Sequence, residues 1–164
     1  MQQSHIAHQI EDHLKRLRRL SPAGFAVALH AKFASPRYLF QAYEKDWLDH
    51  YTREGLVVRD PTILWAFENH GTIRWTDLEH LDSGQIFKIA AEYGLRHGVT
   101  VGVIVGEGRS MASFSRSDRA FTDQECAEAF DQVAALHALT ENAIFDTPSL
   151  HETLRQLSIY LTRG

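Results

Sequence analysis

Tyr43, Trp47 and Tyr51 recur every four residues, and Asp60 stands directly before Pro61. Side chains four apart meet on one face of a helix, provided that the helix following Glu44 reaches back one residue to include Tyr43. An indole offers one N–H donor and no acceptor, a phenol hydroxyl can donate, and a carboxylate only accepts. Trp47, one of the tyrosines and Asp60 therefore complement a molecule with two carbonyls and one N–H, and the apolar residues around them suit an acyl chain. The plainer reading stays open beside this one. The aromatics can be core residues that hydrogen-bond the backbone, and Asp60 can be the N-cap of a helix that starts at Pro61.

Other constellations carry less. His5, His8, Asp12 and His13 cluster near the N-terminus, but there is no HExxH and no paired cysteine spacing, so no metal ligand set is assigned. Gly106-Glu107-Gly108 falls in a hairpin turn, not between a strand and a helix, which removes a phosphate or dinucleotide loop. No G-x-S-x-G elbow or comparable nucleophile signature occurs, so no catalytic residue is named and the chain reads as a non-enzyme. Cys126 sits on the apolar stripe of a long helical stretch and reads as an inert core thiol.

The elements that must position the polar set are punctuated clearly. Ile6, Ile10, Leu14, Leu17 and Leu20 form one helical stripe that Ser4 can cap, with Lys15, Arg16, Arg18 and Arg19 on the solvated side. GFAVALHAKFASPRYLFQAY reads as two strands around Ser35-Pro36. Helices follow over 44–54, ended by Gly55, and from Asp60-Pro61 to about Gly71, then a short strand TIRW that includes Trp75. Gln85 to Tyr93 is a helix, VTVGVIV and SMASFS a hairpin, and Thr122 to Glu125 a capping box opening a long helix that reaches Ile144; a further helix starts near Ser149. The fold class is α+β, with a central five-stranded antiparallel sheet and helices on both faces.

Composition agrees with one domain in a reducing compartment. The 164 residues are 44% hydrophobic, enough for one core, and the single cysteine excludes an internal disulfide. A net charge of -4 argues against nucleic-acid binding by this segment alone, and no apolar run is long enough for a membrane span. A cytoplasmic location without membrane contact is expected.

The ordered set Tyr43, Trp47, Tyr51, Asp60-Pro61 and Trp75, followed by Tyr93-Gly-Leu-Arg-His-Gly98, resembles the autoinducer-binding domain of LuxR-type quorum-sensing transcription regulators, over roughly Phe25 to Phe145. The resemblance implies a three-layer α-β-α sandwich that encloses an N-acyl homoserine lactone and needs no cofactor. It implies that Trp47 donates to the lactone carbonyl, Tyr43 to the acyl amide carbonyl, and that Asp60 accepts the amide N–H. Tyr51 would wall the acyl chain and Trp75 pack near the lactone ring. Ser113 would present a hydroxyl to the amide region, although a register slip of one residue would replace it with Phe114. Gly102 stands where some relatives have Pro.

The same resemblance implies a small-molecule autoinducer as partner, a homodimer, and DNA contact only through a C-terminal helix-turn-helix domain absent from this chain; the first and the long helix, whose apolar stripes one core need not cover completely, are the candidate dimer surfaces. On that expectation residues 1–164 are the autoinducer-binding domain, about 1–146 its core and 147–164 the start of a linker. An orphan receptor for a different small ligand, or a stand-alone module that heterodimerises with full-length relatives, are the alternatives.

Overall fold

The computed structural model describes residues 2–32 and 35–141. Helix α1 (Gln2–Leu20) leads into strands β1 (Gly24–Leu29) and β2 (Tyr38–Gln41). Helix α2 (Lys45–Arg53), a 3-10 turn (Leu56–Arg59) and helix α3 (Pro61–Glu68) follow. Strand β3 (Gly71–Arg74), a second 3-10 segment (Trp75–Leu81) and helix α4 (Ile86–Glu92) precede the hairpin of β4 (His97–Val105) and β5 (Gly108–Arg116), and α5 (Asp123–Thr140) lies behind it. The five strands form one antiparallel sheet in the order β2-β1-β5-β4-β3, the α+β arrangement expected.

One face of the sheet carries large side chains. Phe25 and Val27 of β1, Phe40 of β2, Val99 and Val101 of β4 and Phe114 of β5 pack with Ile10, Leu14 and Leu17 of α1 and Val133 and Leu136 of α5 in one continuous core. The apolar stripes of both helices are thus consumed by the sheet, and are not free surfaces for a second copy. Cys126 belongs to this core, where burial pushes its thiol up from the ordinary value. Thr122 and Glu125 close the capping box that starts α5, so two donors of its first turn are satisfied reciprocally.

The other face carries small ones. Because pleated side chains alternate, the registers lay them out in rows: Gly24, Ser115 and Gly98; then Ala26, Ser113 and Thr100; then Ala28, Met111 and Gly102. The helices α2, α3 and α4 cover this side, completing three layers.

Several local expectations change. Helix α1 begins at Gln2, so Ser4 lies inside it and is not its cap. Tyr43 precedes α2, whose N-cap is Glu44, so the three aromatics are not one helical row. Trp75 opens a 3-10 segment and is not part of β3, and α3 ends at Glu68. At the start of α4 the cap comes from Asp82, whose carboxylate accepts from the N–H groups of Ile86 and Phe87, both at 2.9 Å. Gly102 is needed for close approach: a Cβ there would stand 2.0 Å from the Asn69 carbonyl oxygen at the end of α3. Ile144, the helix near Ser149 and the linker 147–164 lie outside the described residues.

Candidate functional site

The small residues on the covered sheet face leave a cavity of about 250 Å³ between β1, β2, β4 and β5 below and α2, α3 and α4 above. All six side chains singled out in the sequence, Tyr43, Trp47, Tyr51, Asp60, Trp75 and Ser113, line it. Ala28, Leu39, Ile63, Ala66 and Met111 supply an apolar stretch of the wall.

Asp60 is positioned by its own helix. As N-cap of α3 it accepts at Oδ1 from the Thr62 N–H at 2.9 Å and the Thr62 hydroxyl at 2.7 Å. Its Oδ2 accepts from the Tyr51 hydroxyl at 2.7 Å. One carboxylate thus caps α3 through Oδ1 and, lining the cavity, accepts from Tyr51 through Oδ2. Burial raises the Asp60 carboxyl above its ordinary value, while the hydrogen bonds from Thr62 and Tyr51 pull the other way. Burial, and then the Asp60 charge, push the Tyr43 and Tyr51 hydroxyls well above the ordinary tyrosine value, so both stay protonated donors.

Tyr43 donates its hydroxyl to the Ser113 carbonyl oxygen at 3.2 Å, a long bond. Trp47 reaches the cavity from α2 and packs against Tyr51 and Tyr93, with ring centres 5.7 and 5.4 Å away. Among the described residues its indole N–H has no hydrogen-bond acceptor. The second tryptophan differs: Trp75 donates its N–H to Thr100 Oγ1 at 3.1 Å and stacks on Phe87 at 5.2 Å. Gly98 makes its seat, since a Cβ there would stand 1.9 Å from the Trp75 ring. Ser113 faces the cavity and Phe114 the opposite core, which settles the register of β5.

Thr62, Thr100 and Gln41 were not singled out. Thr100 was within reach, because a hairpin turning at Gly106-Glu107 places it opposite Ser113. Thr62 looked like an ordinary first-turn residue, and nothing in the sequence distinguishes Gln41. Gln41, Tyr43, Leu48, Tyr51 and Thr52 face the cavity on one side and an outer groove edged by Arg18, Lys45, Asp49 and Arg53 on the other. The polar groups among the described lining residues are hydroxyls, the Trp indoles, the Gln41 amide and the Asp60 carboxylate.

The family profile described as the autoinducer binding domain matches residues 6–144. The chain belongs to the autoinducer-binding domain family. Autoinducer-binding domains are signal-sensing domains and not enzymes. Similar solved structures include SdiA in complex with octanoyl-rac-glycerol, with a TM-score of 0.61 and 18% identity over 88% of this chain and 61% of that one. A crystal structure of Escherichia coli SdiA gives 0.61 and 20% over 88% of this chain and 63% of its own. The N-acylhomoserine lactone dependent LuxR family factor CepR2 from Burkholderia cenocepacia gives 0.58 and 16% over 90% and 98%. At these identities the likeness is one of fold. This autoinducer-binding domain spans about three-fifths of the two SdiA chains. No curated protein sequence is a significant match.

Proposed function

We propose that the cavity binds an N-acyl homoserine lactone and that the chain is the sensing domain of a LuxR-type transcription regulator. The observation that carries this reading is the Trp47 indole N–H, without an acceptor among the described residues, in the same cavity as a buried Asp60 carboxylate. A donor and an acceptor so placed, with apolar walls beyond, match a polar head that offers both carbonyl and N–H, joined to an acyl chain. Trp47 donates to the lactone carbonyl, Tyr43 exchanges its long bond to the Ser113 carbonyl for one to the amide carbonyl, and Asp60 Oδ2 accepts the amide N–H beside the Tyr51 hydroxyl. Tyr51 and Trp75 are walls, and Ser113 a hydroxyl at the junction of head and chain. That CepR2 is described as N-acylhomoserine lactone dependent supports the same class of ligand.

A second reading is favoured by the SdiA complex: a monoacyl glycerol also offers an ester carbonyl to Trp47 and hydroxyls that can donate to Asp60. Thermal melts with a panel of acyl homoserine lactones and with octanoyl glycerol separate the two. The lactone reading expects a rise in Tm at saturating lactone that exceeds the rise with octanoyl glycerol. A melt that no lactone moves would overturn it.

The wider biology proposed is that of a cytoplasmic regulator acting as a homodimer, with ligand controlling DNA binding through a C-terminal helix-turn-helix domain of the full-length protein. No helix among the described residues is long and apolar enough to cross a membrane. With the stripes of α1 and α5 spent on the sheet, a homodimer would use their outward faces, and light scattering with and without ligand tests it.

A further inference from the structure

The roof of the cavity is held down unevenly. Trp47 is the one buried residue among the nine of α2, whereas Pro61, Thr62 and Ala66 are buried among the eight of α3. Among the described residues a single side-chain hydrogen bond ties α2 to another element, from the Tyr51 hydroxyl to Asp60 Oδ2, since the Lys45 and Asp49 pair lies within the helix. Ring packing adds to this hold, with Trp47 and His50 against Tyr93 at centre distances of 5.4 and 5.5 Å. A short helix with so few buried groups opens locally at low cost while the remainder of a domain stays folded.

Both ends of α2 permit such a movement. Gly55, just past its C-terminus, is exposed with φ of 60°, and a Cβ there would meet nothing within 4 Å. At the other end Glu44 is extended and its side chain makes no cap. Gln41 of β2 and Leu48 and Thr52 of α2 line the cavity and the outer groove alike, so one layer of side chains divides the two spaces. Among the described residues no hydrogen bond crosses from Gln41 to α2, and the boundary is a seam. We propose that α2 is a lid hinged at Gly55 and that the ligand enters and leaves the cavity beneath it, through the seam between β2 and α2 and by way of the outer groove. This rests on the cavity being the ligand site, whichever of the two acyl ligands fills it. Trp47 makes the lid responsive. The residue that seats α2 in the protein is also the one whose indole N–H is left for a ligand carbonyl, so that bond forms with the lid down and ligand shifts the lid toward its closed position.

Stopped-flow tryptophan fluorescence with N-octanoyl homoserine lactone and with octanoyl glycerol tests this on the 164-residue chain. Thr52 is exposed at the seam, so Thr52→Cys can carry a small methylthio label or a bulky adamantyl one, with the single native cysteine, Cys126, replaced by Ala throughout. The same labels at Val105→Cys, exposed at the hairpin turn and outside both cavity and groove, are the control. The adamantyl label at position 52 is expected to slow association and dissociation alike, by about tenfold, and to leave Kd within about twofold, because an obstructed passage raises the barrier equally in both directions. The methylthio label, and either label at position 105, leave both rates standing. A merely structural loss would move Kd with the dissociation rate. Gly55→Ala strains the left-handed turn and is expected to speed dissociation several-fold, while Gly55→Asn, which tolerates positive φ, restores the parent rate. Association untouched by the adamantyl label at position 52, association slowed as much from position 105, or dissociation unmoved by Gly55→Ala overturns the proposal and leaves the ligand reading intact. Binding of octanoyl glycerol alone overturns the lactone reading, and the lid is then judged on that ligand by the same rates. Binding of neither by the parent overturns both.

Discussion

The two faces of the sheet are built from the same strands, and alternate residues do opposite jobs. In β1, Phe25 and Val27 point to α1 and α5 and are fully buried, whereas Gly24, Ala26 and Ala28 point the other way. In β5, Phe114 enters the core while Ser113 and Ser115 face the other side. The difference is one of volume more than polarity. On the side of α1 and α5 the large side chains fill the space at interior density; on the other side small residues hold it open, and α2 to α4 roof it without filling it. About 250 Å³ on this side is not packed by the protein's own side chains, so apolar contacts that the other face makes internally are left for a bound molecule to supply. One face stabilises the protein outright, and the other does so fully only when something occupies it.

The largest expected effect tests this contrast at neighbouring residues. Phe114→Ala should cost about 3–5 kcal/mol in urea unfolding without ligand, the usual cost of emptying a core phenylalanine site. Ser113→Ala, one residue away on the opposite face, should cost less than about 1 kcal/mol under the same conditions. Similar losses for the two would mean that the cavity face is packed as tightly as the core. A converse substitution breaks the comparison from the other side: Ala26→Leu adds bulk where the cavity is, so apo stability should change by no more than about 1.5 kcal/mol while lactone affinity falls more than about tenfold. Unchanged affinity would place the ligand elsewhere.

Next in size comes Asp60→Asn. The carboxylate accepts from Thr62 and Tyr51 and, on the proposed reading, from the ligand N–H. An amide in its place can present a donor to that N–H, so binding should weaken by about 1–3 kcal/mol in calorimetry. The cap at Oδ1 is largely kept by an Asn, a residue that also caps well, so the apo melt should move little. Equal affinity of variant and parent would return Asp60 to the role of a cap alone.

What the sequence disclosed follows the same division. The polar set was legible because Trp47, Tyr51, Asp60 and Trp75 are residue types with few reasons to share a short apolar stretch, and the hairpin and α5 were legible because Gly106 and the Thr122 capping box punctuate them. The cavity itself was not. It is written as an alternation of large and small residues, Gly-Phe-Ala-Val-Ala-Leu over 24–29, and a reading by hydrophobicity treats Ala26 and Phe25 alike. Tyr43 and Trp75 were placed one element too far into their neighbours because their seats are set by tertiary contact. Trp75 lies where Gly98 lets it approach, a constraint that no local propensity expresses.

The smallest effect is one of slope, and it separates the faces by pH. On the side of α5 the rings of His30 and His137 lie 4.4 Å apart; His137 Nδ1 is 2.6 Å from Ser110 Oγ, and His30 Nε2 is 2.8 Å from Thr140 Oγ1. Burial, then the charges of His137 and Arg37, hold His30 down to about 4. Burial also lowers His137, with Arg37 adding to the shift and Glu141 opposing it. Unfolded histidines take up protons near pH 6.5, so between about 6.5 and about 4 the unfolded chain binds more protons than the folded one, and stability falls as the solution is acidified. Asp60 on the cavity side has the opposite sign, because burial makes its folded carboxyl take a proton before the unfolded one does. His30 adopts a left-handed backbone with φ of 55°, which Asn tolerates, so His30→Asn removes one titrating ring without backbone strain. Urea unfolding at steps from about pH 7 to about 4.5 should show a shallower decline for His30→Asn than for the parent. Parallel curves would place the acid sensitivity of this domain outside His30.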